Sequence, residues 1–317
     1  MSTSAGAETG LVRLGDRAWA WLQEDKGLGW SNSGLVAGGG GLVVDTLYDL
    51  PLTRRMLDAY AEVHPDRPAR LVNTHHNGDH CWGNQLLADA EIIAHRGCAD
   101  RFLEVTPERM AAIAAMPDPP EHLEHLVAAI GAFDFSGIEL TPPTTVIDGD
   151  VVLDLDGRPV ELLYVGPAHT EGDVVVHLPA EGVLYCGDVL FHRCTPVGWE
   201  GDFATWIAAL ERMAALAPEH VVPGHGPLCG VDGLLELRDY LVHVVEECRV
   251  HHAAGRTPLD AAMRIELGRW AAWNEPERLA VVVHRAYKEL DGGAWDEPFD
   301  RAAATLDEAT LRRVRFS

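Results

Sequence analysis

Residues 73–80 read Asn73-Thr74-His75-His76-Asn77-Gly78-Asp79-His80, a polar segment that follows the short apolar run 70–72. Three imidazoles, one carboxylate and one carboxamide fall within the six positions from His75 to His80. Side chains of these types at the end of a buried strand can converge on one or two metal ions. They are also costly to bury without partners. Taken alone, the segment can also be read as a loop of solvated histidines, the lesser of the two readings, so its meaning depends on the rest of the chain.

Upstream, short β-prone runs lie at 11–14, 18–22, 33–36 and 42–44, and Gly38-Gly39-Gly40-Gly41 makes a hairpin turn between the last two. Met56, Leu57 and Tyr60 stand at helical spacing and predict a helix over 51–63. Downstream, a short helix is expected around 82–87 and a strand at 91–94. Residues 99–135 differ in character: helices over 101–116 and 121–133, broken by Pro117-Asp118-Pro119-Pro120, form a helical insertion over a site. Strands return at 151–155, 160–165, 173–178 and 183–186. Asp202 caps a helix over 203–216, and a last buried strand, 220–222, runs into Pro223-Gly224-His225-Gly226-Pro227. After Gly230 the signals are helical. Thr257 and Pro258 mark one helix start, and Asn274, Pro276 and Glu277 mark another in capping-box spacing. The pattern predicts a layered α/β body over residues 1–230, sheets inside and helices outside, with a helical extension over 231–317 packed on it.

Three later positions repeat the theme of residues 73–80. His169 lies in Gly166-Pro167-Ala168-His169-Thr170-Glu171-Gly172-Asp173, Asp188 in Cys186-Gly187-Asp188, and His225 in the Pro-Gly-His-Gly turn. Each is a ligand type at the C-terminal end of an apolar run with glycine nearby, where loops gather into sites. Four such places in order are far more specific than one.

Composition removes several function classes. The 317 residues carry a net charge of −24, which argues against nucleic acid and against an anionic membrane surface. With 47% hydrophobic and 23% charged residues, the chain has the balance of a globular protein with a buried core. No apolar run is long enough for a membrane span, and residues 1–10 show no secretory pattern. The six cysteines form no CxxC pair, which fits reduced thiols and a cytoplasmic location. Oligomeric state is not legible.

These residues resemble the metallo-β-lactamase fold superfamily, whose motif is HxHxDH followed by a single His, a bridging Asp and a last His in a PGHG turn. The likeness runs from about residue 30 to 227, and Ser31-Asn32-Ser33-Gly34 and Val43-Val44-Asp45-Thr46 also fit. The resemblance implies an α/β fold, a four-layer αβ/βα sandwich with metals at one sheet edge. It implies a first site holding His75 and His169, a second holding Asp79, His80 and His225, and Asp188 bridging them. One position departs: the family's second histidine falls on Asn77, a neutral oxygen donor that binds zinc less well than imidazole. Asn77 is thus a weak ligand at best, and His76 is expected to project from another face of the turn.

The expected cofactor is zinc, one or two ions per chain, with iron as the alternative. Bound metal brings the pKa of water from about 16 to about 7, supplying hydroxide to a carbonyl carbon. Asp79 and Asp188 would orient the nucleophile and take up its proton. Hydrolysis of an ester, thioester or lactone is the parsimonious reaction, on a small-molecule or carrier-protein-bound acyl substrate. Residues 30–46, 73–85 and 165–179 are also similar to the thioesterase-like second-ring cyclases of aromatic polyketide pathways. Two other readings stand beside this one. His75, His169 and Asp188 form a 2-His-1-carboxylate set that suits non-haem iron and O₂, an arrangement that the superfamily's persulfide dioxygenases resemble. A non-catalytic binding protein on the same fold is the other. Trp30, Trp82, Trp199 and His192 lie near motif loops and are candidates for lining the substrate pocket.

Overall fold

The computed structural model describes residues 8–316. Residues 1–7, where no leader was expected, and Ser317 lie outside the described residues.

Among the described residues, twelve strands form two sheets. The first runs in chain order: β1 (Gly10–Arg13), β2 (Ala18–Leu22), β3 (Ser33–Val36), β4 (Leu42–Val44), β5 (Arg70–Val72), β6 (Glu91–His95) and β7 (Thr145–Ile147). Its pairings are antiparallel up to β4 and parallel from β4 to β7. The second has β8 (Val151–Leu155), β9 (Arg158–Tyr164), β10 (Val174–Leu178), β11 (Val183–Tyr185) and β12 (His220–Val222) in the order 12-11-10-9-8. Only its β11–β12 pairing is parallel.

The strands explain the four layers. Val36, Leu42, Val44, Val72 and Ile93 face Val160, Leu162, Val174, Val176 and Val222 in one core between the sheets. Their chain neighbours Leu35, Val43, Leu71 and Ile92 point the other way, onto Met56 and Tyr60 of the helix Leu50–Val63. On the second sheet Leu163, Val175, Leu184 and Val221 point outward, onto Trp206 and Leu210 of the helix Phe203–Ala215. Strands buried on both faces read as continuous apolar runs, which is why they were visible in the sequence. The close approach of the sheets requires Gly34: a Cβ there would stand 2.3 Å from the Tyr185 ring.

The C-terminal helices Val231–Ala253, Pro258–Ala262 and Leu279–Leu290 share that outer core, through Leu237, Leu241, Val244, Val282 and Val283. Each fully buried Leu or Val contributes roughly 1.5–3 kcal/mol. Between β6 and β7 the chain forms helices Arg96–Arg101, Pro107–Ala114 and Glu124–Ile130. These pack Phe102, Ile130, Phe133 and Phe135 with Tyr48 and Trp82 over the ends of the first sheet.

Three expectations are corrected. The helix foreseen over 101–116 breaks at 102–106, because Thr106 caps a new helix whose first residue is Pro107. The helix foreseen around 82–87 is a turn over Gly78–Cys81 and a 3-10 segment Asn84–Leu87, so Asp79 and His80 sit inside the helical turn. Asn274 caps no helix. Its amide reaches the Asp25 carbonyl at 3.4 Å, its backbone bridges to Cys194, and the helical turn starts after Glu275, whose φ is 51°.

Candidate metal centre

Four chain segments end at one edge of the sandwich. The loop after β5 carries His75, Asp79 and His80; the loop after β9 carries His169; the turn after β11 carries Asp188; the loop after β12 carries His225. The structure gathers these six into two trios. Donor atoms of His75, His169 and Asp188 lie within 4.8 Å of one another, and so do those of Asp79, His80 and His225. Asp188 stands between them. Its Oδ2 is 3.8 Å from His75 Nε2 and 3.5 Å from His169 Nε2, while its Oδ1 is 3.0 Å from His80 Nε2 and 3.4 Å from His225 Nε2. Glycine permits this approach: a Cβ on Gly224 would stand 2.1 Å from Asp188 Oδ1.

Each imidazole is held from behind by Nδ1. His75 contacts the Thr74 hydroxyl at 3.0 Å, His80 the Asp45 carboxylate at 2.9 Å, His169 the Val197 carbonyl at 2.6 Å and His225 the Trp30 carbonyl at 3.2 Å. Nε2 then faces the centre in all four, the arrangement by which outer partners orient metal-binding histidines. Asp45 was missed in the sequence. It follows β4 with φ 61°, a rare conformation outside glycine, and accepts from both the backbone N–H and the hydroxyl of Thr74 at 2.7 Å. The run Val43-Val44-Asp45-Thr46 had marked it as part of the pattern without giving it this task.

The donor set fits a metal. His75 Nε2 is buried and makes no hydrogen bond, and His80 Nε2 and Asp188 Oδ1 face each other at 3.0 Å as a buried ion pair without good hydrogen-bond alignment, costs that a cation at each trio would remove. Without one, the trios settle differently. Burial, reinforced by His80, drives His75 well below its ordinary value, and burial brings His169 down to about 4. His80 and His225 resist burial because Asp188 and Asp79 face them; His80 is driven well up and His225 reaches about 10. Against its own burial, Asp188 is held well below the carboxylate range by His225 and His80.

Asn77 does turn inward: its amide oxygen lies 2.8 Å from His169 Nε2. His76 points away from the trios, to Glu200 at 3.7 Å. A cavity of about 250 Å³ opens over the centre, walled by Tyr48, Trp82, Met110, Ile113, Leu126 and Trp199. Of the four candidates near the motif loops, Trp82 and Trp199 line this cavity. Trp30 and His192 do not: Trp30 packs on Phe133 with ring centroids 5.1 Å apart, and His192 Nδ1 turns to the Pro227 carbonyl at 2.8 Å. Glu104, Arg109 and Arg301, which nothing in the motif pattern singled out, do line it.

Several known proteins are similar to this chain in sequence or in fold. A metallo-β-lactamase type 2 of Bacteroides fragilis is 33% identical over 87 residues, 26% of this chain and 35% of the relative. A hydroxyacylglutathione hydrolase of Maricaulis maris is 29% identical over 153 residues, 47% of this chain and 44% of the relative. The chain therefore spans less than half the length of either. The sec-alkylsulfatase Pisa1 from Pseudomonas sp. shares the fold, with a TM-score of 0.66 at 18% identity, over 89% of this chain and 50% of that one. The family profile described as the metallo-beta-lactamase superfamily matches residues 27–225, the span that contains every residue of both trios, and the chain belongs to that superfamily.

Proposed function

We propose that the chain is a metal-dependent hydrolase acting on an ester or thioester carbonyl of a bulky, largely apolar acyl group. The observation that carries this reading is the set of four imidazoles, each anchored at Nδ1 and open at Nε2 toward a shared Asp188. His75, His169 and Asp188 would hold one ion, and Asp79, His80, His225 and Asp188 the other, with zinc the ion that suits imidazole and carboxylate donors. A bound ion supplies Lewis acidity and brings the pKa of water toward about 7.

The chain's own residues do the rest. Asp79 and Asp188 stand at the cavity floor as charged acceptors that orient the attacking group and take its proton. Trp82, Met110, Ile113, Leu126 and Ile130 exclude water and bury the acyl group. A small-molecule acyl ester fits such walls, and so does a carrier-bound polyketide chain, the substrate type suggested by the likeness to second-ring cyclases.

Metal analysis of the purified protein, followed by assay on aryl esters and acyl thioesters before and after chelation, tests the proposal. Zinc at both trios and turnover lost with chelator and regained with zinc are expected. Iron confined to His75, His169 and Asp188 would overturn it in favour of O₂ chemistry. A protein that takes up no metal is a binding protein on this fold.

A further inference from the structure

A second cavity of about 270 Å³ adjoins the first, between the helices of the 99–135 insertion and the C-terminal helices. Leu28, Leu126, Val197, Trp199, Arg109 and Arg301 line both, so the two are one continuous cleft. The charge of this second chamber runs against that of the molecule. In a chain of net charge −24, its walls carry four arginines and two glutamates. The glutamates are taken: Glu275 pairs with Arg278 at 2.5 Å, and Glu308 with Arg312 at 3.2 Å. That leaves Arg109 and Arg301, which make no ion pair among the described residues. The nearest carboxylates on the metal side, Glu104 and Glu200, already face Arg101, at 3.0 and 3.5 Å.

Arg301 is positioned rather than loose. Its guanidinium lies 5.0 Å over the Trp199 ring, which in turn stacks on Phe299 with centroids 6.0 Å apart. Burial pushes the Arg301 guanidinium down; Glu200 and Glu104 oppose that, and Arg109 and Arg101 add to it, so the arginines act on one another across the cleft. Like charges brought together beside an apolar channel cost free energy unless an anion joins them. Guanidinium forks suit the oxygens of a carboxylate or phosphate.

We propose that Arg109 and Arg301 form a subsite for an anionic group at the far end of the substrate, so that the molecule cleaved at the metal centre carries an apolar middle and a remote oxyanion. This rests on the hydrolase reading of the metal cavity and names the substrate class it selects. It also gives the two peripheral parts of the chain one task, because Arg109 lies on the insertion helix Pro107–Ala114 and Arg301 on the C-terminal helix Arg301–Val314.

The test compares aryl monoesters of linear dicarboxylic acids with methyl-terminated aryl esters of equal length, in the zinc-loaded protein. The carboxylate ester should be favoured in kcat/KM by about tenfold or more at the best chain length. That ratio should fall by about threefold in Arg301→Gln and toward one in Arg109→Gln/Arg301→Gln. It should hold in Arg249→Gln, which removes an exposed charge outside both cavities. A second reading needs no turnover. A long-chain diacid should bind more tightly than the matching fatty acid, by calorimetry and by the change in tryptophan fluorescence, and the double variant should abolish the difference. An alkyl phosphate of the same length assigns the oxyanion: the tighter of phosphate and diacid is the group the subsite takes. A ratio near one in the wild type with no diacid preference overturns the subsite and leaves hydrolysis standing. Arginine-dependent diacid binding without turnover of any ester keeps the subsite and removes the hydrolase reading.

Discussion

The two trios are built from the same side-chain types and meet at the same aspartate, yet they are held in different ways. His75 and His169 lean on neutral groups, the Thr74 hydroxyl and the Val197 carbonyl, and burial keeps both imidazoles free of charge. A carboxamide, Asn77, faces one of their open nitrogens. His80 leans on a carboxylate, Asp45, and with His225 it stays protonated because Asp79 and Asp188 face the pair. The number of ligands therefore does not rank the trios. What ranks them is what an arriving ion must displace: one hydrogen bond in the first, two protons in the second.

Removing the shared member should erase the contrast altogether, and it carries the largest effect. In Asp188→Ala both trios lose a ligand and leave two imidazolium charges without their main partner. Metal content should fall at both positions, and ester or thioester turnover by about 10³-fold or more, on the order of 4 kcal/mol. Elemental analysis beside initial rates checks this, and turnover that survives would place the chemistry elsewhere in the molecule.

Proton release separates the trios next. His80 and His225 are raised in the metal-free protein, so protons compete with the ion at the second trio, and the sign is that affinity grows as pH rises. Displacing two protons predicts a gain of about 100-fold per pH unit between roughly 6 and 8, with little change at the first trio. Zinc calorimetry in buffers of different ionisation heat counts the protons. Equal release at both sites would remove the distinction drawn above.

The anchor behind His80 comes third. Asp45→Ala deletes the carboxylate that fixes this ring and should weaken the second trio by about 10–100-fold, the usual effect of losing such an outer partner. The first trio should weaken less, because Asp45 reaches His75 only through the Thr74 hydroxyl. Equal loss at both would mean that Asp45 supports the loop as a whole.

These contrasts show what the sequence can express. The six residues that the structure brings together stand out in the sequence, because each follows an apolar run and the runs alternate with loops in a recognisable order. Asp45 was not, since its contact with His80 spans 35 positions and a lone aspartate after a strand carries no spacing signal. The carbonyls of Val197 and Trp30 were invisible for a stronger reason, namely that a backbone atom has no residue type to read. His192 misled because spacing of four from Asp188 says nothing about direction, and the ring is spent on Pro227. Asn274 misled in the same way: the capping-box residues were present, but the chain enters that turn through Glu275 with φ 51° and leaves the asparagine to a bridge with Cys194. Arg109 and Arg301 meet only because two helices nearly two hundred residues apart close on one cleft.

Asn77 gives the smallest effect and the sharpest test of the comparison. The Val197 carbonyl accepts from His169 Nδ1, which fixes the proton there, and burial brings the pKa of the ring down to about 4, so that it is neutral at higher pH. Nε2 is then a lone pair, and at 2.8 Å it can be met only by the NH₂ side of the Asn77 amide or by a cation between the two groups. In the metal-free protein the amide therefore competes with the ion for His169 instead of helping to bind it. Two substitutions tell these roles apart. Asn77→His replaces the competitor with an imidazole ligand and should tighten the first site by about tenfold or more, roughly 1.4 kcal/mol. Asn77→Ala removes the competitor and adds nothing. The loss of one hydrogen bond, about 0.5–1.5 kcal/mol, should tighten the site by a few-fold. A weak ligand at position 77 would give the opposite sign in Asn77→Ala, a looser site. Zinc titrations of the three proteins at one pH, read by calorimetry, decide between the two roles, and the second trio serves as the internal reference because Asn77 does not reach it.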